Sequence, residues 1–193
     1  IPGLPELGVV RNIDASKWDA GKAYVTIEFH QVGNFKPYVY KTSDYGQTWT
    51  KITKGIDEGI LSYCRNIKED PVREGMLYLG TENKLYVSFD DGANWQSLMS
   101  NLPHTPMYWL DIPEHFNDLV VGTYGRGIWI LDDISPLQQL TEEITSSDAH
   151  LFSQKAAYRF RPVTQVMQFF PEASFGQDPP PGTALNYWLA EPN

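Results

Sequence analysis

The 193-residue chain carries a formal net charge of −9, with 13% aromatic and only 20% charged residues. This composition is too rich in large apolar side chains for a disordered chain. The chain is acidic and has no cluster of basic residues. This argues against nucleic acid as a partner, because nucleic-acid binding depends on clustered lysine and arginine. No run of about 18 apolar residues is present, so the sequence predicts no membrane span.

The sequence also lacks the spacing of a metal or redox site. Its single cysteine, Cys64, lies in a segment typical of a strand, and we interpret it as apolar filling rather than as a nucleophile. The histidines, His30, His104, His115 and His150, do not have zinc-type spacing. We therefore expect no metal and no cofactor.

An octet of residues occurs twice, as "TSDYGQTW" over 42–49 and as "SFDDGANW" over 88–95, 46 residues apart. A fixed period of this length is typical of stacked supersecondary units. Around each octet the sequence predicts four short strands bounded by turn formers. We predict an all-β chain with about three four-stranded antiparallel blades of a partial β-propeller, at about 9–60, 61–105 and 106–135 within 1–135.

The first strands of the units carry a second repeat. The letters "RNI" occur at Arg11–Ile13 and again at Arg65–Ile67, and we align them with "LDI" at Leu110–Ile112. A propeller needs about four to eight blades, so three cannot close a ring. We expect the remaining blades to come from the parent polypeptide or from other chains.

The region after the third unit breaks the repeat. We predict a short helix capped by Ser135 and then an outer strand completing the propeller over 136–161. A proline-rich linker follows over 162–182, and the first strand of a truncated β-sandwich over 183–193 forms the extended tail. The chain opens on Ile1 without a leader, which suggests a processed product whose signal peptide is not in this chain.

Each position of the octet has a turn-building role. The aspartate accepts backbone N–H groups of its own turn, the glycine supplies positive φ, and the tryptophan ring packs between strands. Calcium binding or acid–base catalysis is the alternative, but a second carboxylate at ligand spacing is missing. The octets resemble the Asp-box, or bacterial neuraminidase repeat, with structural residues Thr42, Asp44, Gly46, Thr48, Trp49, Ser88, Asp90, Gly92, Asn94 and Trp95.

Loops at the end opposite the octets are the candidate binding surface. The aromatic and polar side chains there suit sugar or peptide recognition. We select as binding residues Arg126, Tyr124, His30, Lys36 and Tyr108. Arg126 stands between two glycines, and its alternative role is a salt bridge to Asp132 or Asp133.

Catalysis would need paired carboxylates. Glycoside hydrolysis uses two carboxyl groups about 5 to 10 Å apart. Glu58 and Glu82 are the catalytic candidates, with Glu28 a third acid that could face the same cleft.

The whole pattern resembles bacterial sortilin-like or glycosyl-hydrolase-like propeller proteins, and these residues match the last blades. The resemblance rests on "KPYVYKTSDYGQTWTKI", "YVSFDDGANWQSL" and "GTYGRGIWILDDISPLQQL". It implies a secreted or periplasmic location. Our leading interpretation is a non-catalytic binding or structural segment. The alternative is part of a xyloglucanase-like or sialidase-like glycoside hydrolase whose cleft is completed by other blades. Sialidase arginine and tyrosine positions have no recognisable counterpart in this sequence.

Overall fold

The computed structural model describes residues 1–156 and 182–190, which divide into two compact units, Ile1–Leu131 and Asp132–Asn193. The first unit contains three antiparallel sheets, each formed by consecutive strands. This arrangement confirms the prediction of an all-β partial propeller, and we call the sheets blades 1 to 3.

Each blade follows the chain from strand to neighbouring strand. Blade 1 contains β1 (Val9–Ala15), β2 (Ala23–Glu28), β3 (Val39–Thr42) and β4 (Thr50–Lys51), with a 3₁₀ turn at His30–Val32. Blade 2 contains β5 (Cys64–Glu69), β6 (Leu77–Thr81), β7 (Leu85–Ser88) and β8 (Gln96–Ser97). Blade 3 contains β9 (Met107–Asp111), β10 (Leu119–Thr123) and β11 (Ile128–Leu131), so its described part has three strands rather than four.

Successive blades pack face to face. β1 and β2 pack on β5, and β5 and β6 pack on β9. The core between blades 1 and 2 is apolar and includes Tyr24, Val39, Ile67, Leu79 and Trp95, none of them more than 4% exposed. Burial of these faces is the main contribution that holds the unit together.

Backbone hydrogen bonds from one blade to side chains of the previous blade add specificity. The Ile67 N–H donates to Asn12 Oδ1 at 3.0 Å, and the Glu69 N–H donates to Asp14 Oδ2 at 2.7 Å. Polar groups of β1 thus satisfy buried donors of β5, which fixes the register between the blades.

The second unit begins with two short helices, α1 (Ser135–Gln139) and α2 (Glu142–Thr145), where the sequence predicts one. Leu140 is extended and ends α1, and the Thr141 side chain caps α2 by accepting the Ile144 N–H. The predicted cap at Ser135 is wrong, because Ser135 is itself the first helical residue and donates through Oγ to Asp133 Oδ1 at 2.7 Å.

Two strands complete the description of this unit. β12 (Ala149–Leu151) pairs antiparallel with β13 (Tyr187–Leu189). Most of the predicted linker and the end of the predicted outer strand lie outside the described residues, so those boundaries stay predictions. No helix in 1–156 or 182–190 has the length and hydropathy to cross a bilayer.

Candidate functional site

Three β-bulges place equivalent residues at one end of the blades. The pairing register skips one residue in each first strand, namely Arg11 in β1, Arg65 in β5 and Tyr108 in β9. A bulge leaves its extra residue unpaired and redirects the side chain. The three side chains lie at the end that carries the β2–β3 connections, whereas the octet turns, residues 42–49 and 88–95, lie at the opposite end.

This register corrects the alignment of the third unit. Tyr108–Leu110, rather than Leu110–Ile112, corresponds to the two "RNI" segments, because Trp109 pairs with Gly122 as Asn66 pairs with Gly80. Blade 3 thus contributes an aromatic ring where the other blades contribute a guanidinium.

Arg65 is the centre of the site. Its Nε donates to Glu82 Oε2 at 2.7 Å within blade 2, and its Nη1 donates to Glu28 Oε2 of blade 1 at 3.1 Å. The Tyr63 ring lies under the guanidinium, with 4.9 Å between the Arg65 Cζ and the ring centroid. One arginine therefore ties together two carboxylates from neighbouring blades.

Arg11 extends the site to blade 3. Its Nη2 donates to the Tyr108 hydroxyl at 2.8 Å, and its Nε lies 3.4 Å from Glu28 Oε1. The Cζ atoms of Arg11 and Arg65 both lie 5.3 Å from the Tyr108 ring centroid, within the range of cation–π attraction. We call Arg11, Glu28, Arg65 and Glu82 the Arg–Glu cluster.

Aromatic rings surround this cluster. His30 stacks on Tyr63 with 4.8 Å between centroids, and Phe35 lies 6.1 Å from the same ring. Tyr108 and Tyr124 lie 6.1 Å apart and are 44% and 72% exposed. We call these last two residues the tyrosine rim, since they present their rings to solvent beside buried polar groups.

Electrostatics keep the Arg–Glu cluster in its paired state. Burial alone would lower the pKa of Arg65, but the hydrogen bond and charge of Glu82 and the charge of Glu28 outweigh it and raise the pKa. Burial, together with the Glu82 hydrogen bond, raises the pKa of the Tyr63 hydroxyl to about 12. The cluster carries two positive and two negative groups, so its formal charge is balanced.

The structure brings together some of the predicted site residues and separates others. His30, Glu82, Tyr108 and Tyr124 surround the two arginines. Glu58 is exposed in the loop between blades 1 and 2, where it lines a cleft of about 240 Å³ that Glu82 does not line.

Lys36 and Arg126 do not contact the Arg–Glu cluster. Lys36 is exposed, and its backbone N–H donates to Asn34 Oδ1 at 3.2 Å. Arg126 is exposed in a turn where Gly125 and Gly127 adopt positive φ, and within residues 1–131 it forms no ion pair.

Sequence reasoning missed Arg11 and Arg65 as site residues. Their signal was the repeated "RNI", which we used only to align the units. An arginine at the same place in two blades, each with a glutamate ending the following strand or just beyond it, predicts an inter-blade ionic cluster.

The two octet turns have nearly the same hydrogen bonds. Asp44 Oδ1 accepts the Thr42 hydroxyl and the Thr48 N–H, both at 2.8 Å, and Asp44 Oδ2 accepts the Thr48 hydroxyl at 2.6 Å. The Gly46 N–H donates to Thr42 Oγ1 at 2.9 Å, and Gly46 has a φ of 83°. These bonds, led by the one from the Thr48 side chain, hold the pKa of Asp44 below its usual value.

The second turn repeats this geometry. Asp90 Oδ1 accepts the Ser88 hydroxyl and the Asn94 N–H, both at 2.8 Å, and Asp90 Oδ2 accepts Asn94 Nδ2 at 2.7 Å. Burial alone would raise the pKa of Asp90, but the hydrogen bonds from Asn94 and Ser88 lower it. Both oxygens of each aspartate are thus used by the turn, and across 1–156 and 182–190 no group of three or more acidic, histidine or cysteine side chains could hold a metal.

The next aspartate faces the neighbouring blade. Asp91 Oδ1 accepts the Tyr24 hydroxyl at 2.6 Å, and Asp91 Oδ2 accepts Lys41 Nζ at 2.8 Å. Adjacent Asp90 and Asp91 therefore point apart, one into its own turn and one into blade 1.

Comparisons with known proteins support the fold. No protein-family model and no curated protein matches the chain. A GH74 enzyme of Niastella koreensis is similar over 77% of this chain and 24% of its own, with 15% identity and a TM-score of 0.53. An ancestral GH74 enzyme matches 61% of this chain and 14% of its own, with 16% identity and a TM-score of 0.48.

A third similar structure is YCF48 from Cyanidioschyzon merolae. It matches 66% of this chain and 35% of its own, with 20% identity and a TM-score of 0.46. This chain therefore spans little more than a third, at most, of these proteins. The blade topology and the likeness to the Niastella koreensis enzyme together show a β-propeller-like fold.

Proposed function

We propose that this chain is a non-catalytic binding and scaffold segment of a larger Asp-box propeller protein of the sortilin-like, glycosyl-hydrolase-like type. Its ligand site is the tyrosine rim beside the Arg–Glu cluster. The remaining blades of the ring come from further polypeptide or from other chains, and the family resemblance supports a secreted or periplasmic location.

The pairing of both glutamates with Arg65 carries this proposal. A retaining or inverting glycosidase needs one protonated carboxyl group and a second carboxylate that acts as nucleophile or base. Here Glu28 and Glu82 both accept from one guanidinium, and Glu28 is only 2% exposed. A carboxylate held in this way stabilises an arginine rather than donating a proton to a leaving group.

The exposed part of the site suits an oligosaccharide. Sugar rings present C–H groups that pack on aromatic faces, and their hydroxyls exchange hydrogen bonds with arginine and glutamate. Tyr108 and Tyr124 offer two such faces from neighbouring strands, and Arg11, with 26% of its side chain exposed, lies at their edge. The balanced charge of the cluster favours a neutral glycan over a polyanion.

The alternative is a glycoside hydrolase whose cleft spans further blades. It is supported by the likeness to the Niastella koreensis GH74 enzyme, which at 15% identity concerns the fold. In that case Glu82 or Glu58 would act on a bound β-glucan.

The test measures both binding and turnover. Cellohexaose and xyloglucan oligosaccharides are titrated into the protein by calorimetry, and release of reducing sugar is followed in parallel. We expect binding without hydrolysis, weakened at least about tenfold by Tyr108→Ala or Tyr124→Ala through lost stacking. Tyr45→Ala, which removes a 78% exposed tyrosine at the octet end, is the matched control and should bind like the parent. Unchanged binding in both rim variants, or hydrolysis abolished by Glu82→Gln, would overturn the proposal.

A further inference from the structure

A cleft of about 600 Å³ follows the outer strand of blade 1. Residues 50–56, which include β4, line it together with Gly92 and Ala93 of the second octet turn. Ile52 and Ile56 are only 5% and 7% exposed, so the floor of the cleft is apolar. Its volume lies within the range of about 300 to 1,000 Å³ that is usual for ligand sites. We call residues 50–54 the β4 edge.

The backbone of the β4 edge is open toward this cleft. β4 pairs with β3 on its other side, and the Ile52 N–H continues that pairing by donating to the Val39 carbonyl at 2.9 Å. Because successive residues of a strand direct their backbone groups to opposite edges, Lys51 and Thr53 direct theirs away from β3. Within residues 1–156 and 182–190 no strand pairs with β4 on that side. The N–H groups of Lys51 and Thr53 and the Lys51 carbonyl therefore form an open strand edge.

Blade 2 holds the β4 edge in its extended shape. The Trp95 backbone N–H donates to the Lys54 carbonyl and its indole N–H donates to the Ile52 carbonyl, both at 2.9 Å. The Ile56 N–H donates to the Thr53 carbonyl at 3.2 Å and closes a turn that ends the edge. The edge is therefore ordered before a ligand binds, which lowers the entropic cost of binding.

Lysine side chains make the cleft locally positive. Lys51 and Lys54 are exposed, and neither forms an ion pair within the described part of the chain. A third lining residue, Lys41, is already paired with Asp91, since its Nζ donates to Asp91 Oδ2 at 2.8 Å. The cleft thus holds two unpaired cations and one carboxylate, Glu58, in a chain whose net charge is −9.

We propose that the β4 edge binds an acidic segment of a partner protein, which adds to blade 1 as a fifth, antiparallel strand. An extended peptide offers both the C=O and the N–H groups that match Lys51 and Thr53, whereas a free anion would leave the Lys51 carbonyl unpaired. The Lys51 ammonium lies 4.6 Å from the Tyr38 ring centroid and is thus held beside the edge. A carboxylate on the peptide residue opposite Lys51 would form a stabilising cross-strand pair.

The alternation of a strand also defines the sequence of the ligand. Every second residue of the bound segment shares a side of the sheet with Lys51 and should be acidic. The residues between them face the side of Ile52 and should be apolar. Lysines on an edge strand also serve to prevent strand pairing, and that explanation predicts no binding.

This site shares no residue with the tyrosine rim or the Arg–Glu cluster, so the inference goes beyond the proposed function. The experiment titrates the full chain with a five-residue peptide of alternating glutamate and valine, acetylated and amidated at its ends. Amide hydrogen exchange is followed residue by residue by NMR. We expect the peptide to slow exchange of the Lys51 and Thr53 amides at least about tenfold. The Ile52 amide is the internal control, because it already donates to Val39.

Two changes separate charge attraction from strand addition. Lys51→Glu should weaken binding about tenfold, and Lys36→Glu, the same charge change at an exposed lysine of the β2–β3 connection, should not. The same peptide N-methylated at every residue keeps its charge but cannot donate to β4, and it should not bind.

Three results would overturn the proposal. The first is the absence of binding at about 1 mM peptide. The second is equal binding by the N-methylated peptide or by the Lys51→Glu variant. The third is slow exchange of the Lys51 and Thr53 amides in the free protein, which would mean that the edge is already covered. Oligosaccharide binding at the tyrosine rim is independent of all three, so the two proposals succeed or fail separately.

Discussion

Trp49 and Trp95 occupy the same place in the repeated octet but have different surroundings. The Trp95 indole is 4% exposed and donates to the Ile52 carbonyl of blade 1 at 2.9 Å. The Trp49 indole is partly exposed and donates only within its own turn, to the Gly46 carbonyl at 3.0 Å. The octet tryptophan therefore packs at a blade junction only in blade 2, where its indole contacts the preceding blade.

This difference predicts unequal costs of truncation. Trp95→Ala should lower the free energy of unfolding by about 3 to 5 kcal/mol, because it leaves a cavity between blades 1 and 2. Trp49→Ala should cost clearly less, since water already reaches part of that ring. Urea unfolding followed by circular dichroism gives both values. Equal losses of unfolding free energy in the two variants would contradict the conclusion that Trp95, but not Trp49, packs at a blade junction.

At the scale of the strand, one glycine shows how closely the blades approach. Gly80 of β6 has no room for a side chain beneath Met107, whereas a Cβ at Gly122 of β10, which has the same register, would make only an ordinary contact with Trp109 of its own sheet at 3.5 Å. Neither residue is among the glycines with positive φ, so the requirement at Gly80 is close packing rather than backbone conformation.

Alanine substitution at Gly80 and Gly122 separates the effect of crowding between blades from the effect of β-strand propensity. Gly80→Ala should destabilise the protein by about 1 to 3 kcal/mol, because the Cβ would push β9 away from β6. Gly122→Ala should change stability by no more than about 0.5 kcal/mol. Thermal unfolding of dilute protein compares the two. A loss in Gly122→Ala as large as that in Gly80→Ala would contradict close packing of the blades as the reason for glycine at position 80.

The strands, and from the repeated "RNI" an ionic cluster, could be predicted from sequence, but the meeting of Tyr108 with the two arginines could not. Alternating apolar residues and the octet spacing indicate the blades, since both are local patterns. Arg11, Arg65 and Tyr108 meet because of bulges, and a bulge adds one residue without changing the local composition. Matching of residue identities therefore aligned Leu110–Ile112 with the "RNI" segments. The strand register shows instead that Tyr108–Leu110 is structurally equivalent to them.

At the scale of the whole unit, polar junctions accompany the apolar ones at both ends of the blades. Arg65 joins Glu28 and Glu82 at the end that carries the β2–β3 connection, and Asp91 joins Lys41 and Tyr24 at the octet end. If blades 1 and 2 separated, the Arg65–Glu28 pair and the contacts of Asp91 with Lys41 and Tyr24 would be lost, whereas Arg65 would keep Glu82 within blade 2. Separation of the blades thus costs both apolar burial and charge pairing, which favours cooperative unfolding of residues 1–131.

The contacts of Asp91 with Lys41 and Tyr24 predict how the stability of the protein falls in acid. Burial alone would raise the pKa of Asp91, but hydrogen bonds from Lys41 and Tyr24 and the charges of Lys41 and Lys22 lower it below the ordinary value. A carboxylate with a lowered pKa in the folded state binds protons less readily than in the unfolded chain. Its stabilising contribution is complete above the unfolded-state pKa of about 3.9 and is lost as the pH falls through the lower folded-state pKa.

Asp91→Asn should therefore flatten the fall in unfolding free energy between about pH 5 and pH 2. The variant should be less stable than the parent at pH 7, where the ion pair with Lys41 is lost, and the two curves should converge in acid. The amide oxygen can still accept the Tyr24 hydroxyl, so the change isolates the charge. Parallel curves over the whole range would mean that Asp91 does not couple blades 1 and 2 through its charge, and acid sensitivity would then have to arise at other carboxylates with lowered pKa values, such as Asp44, Asp57 and Asp90.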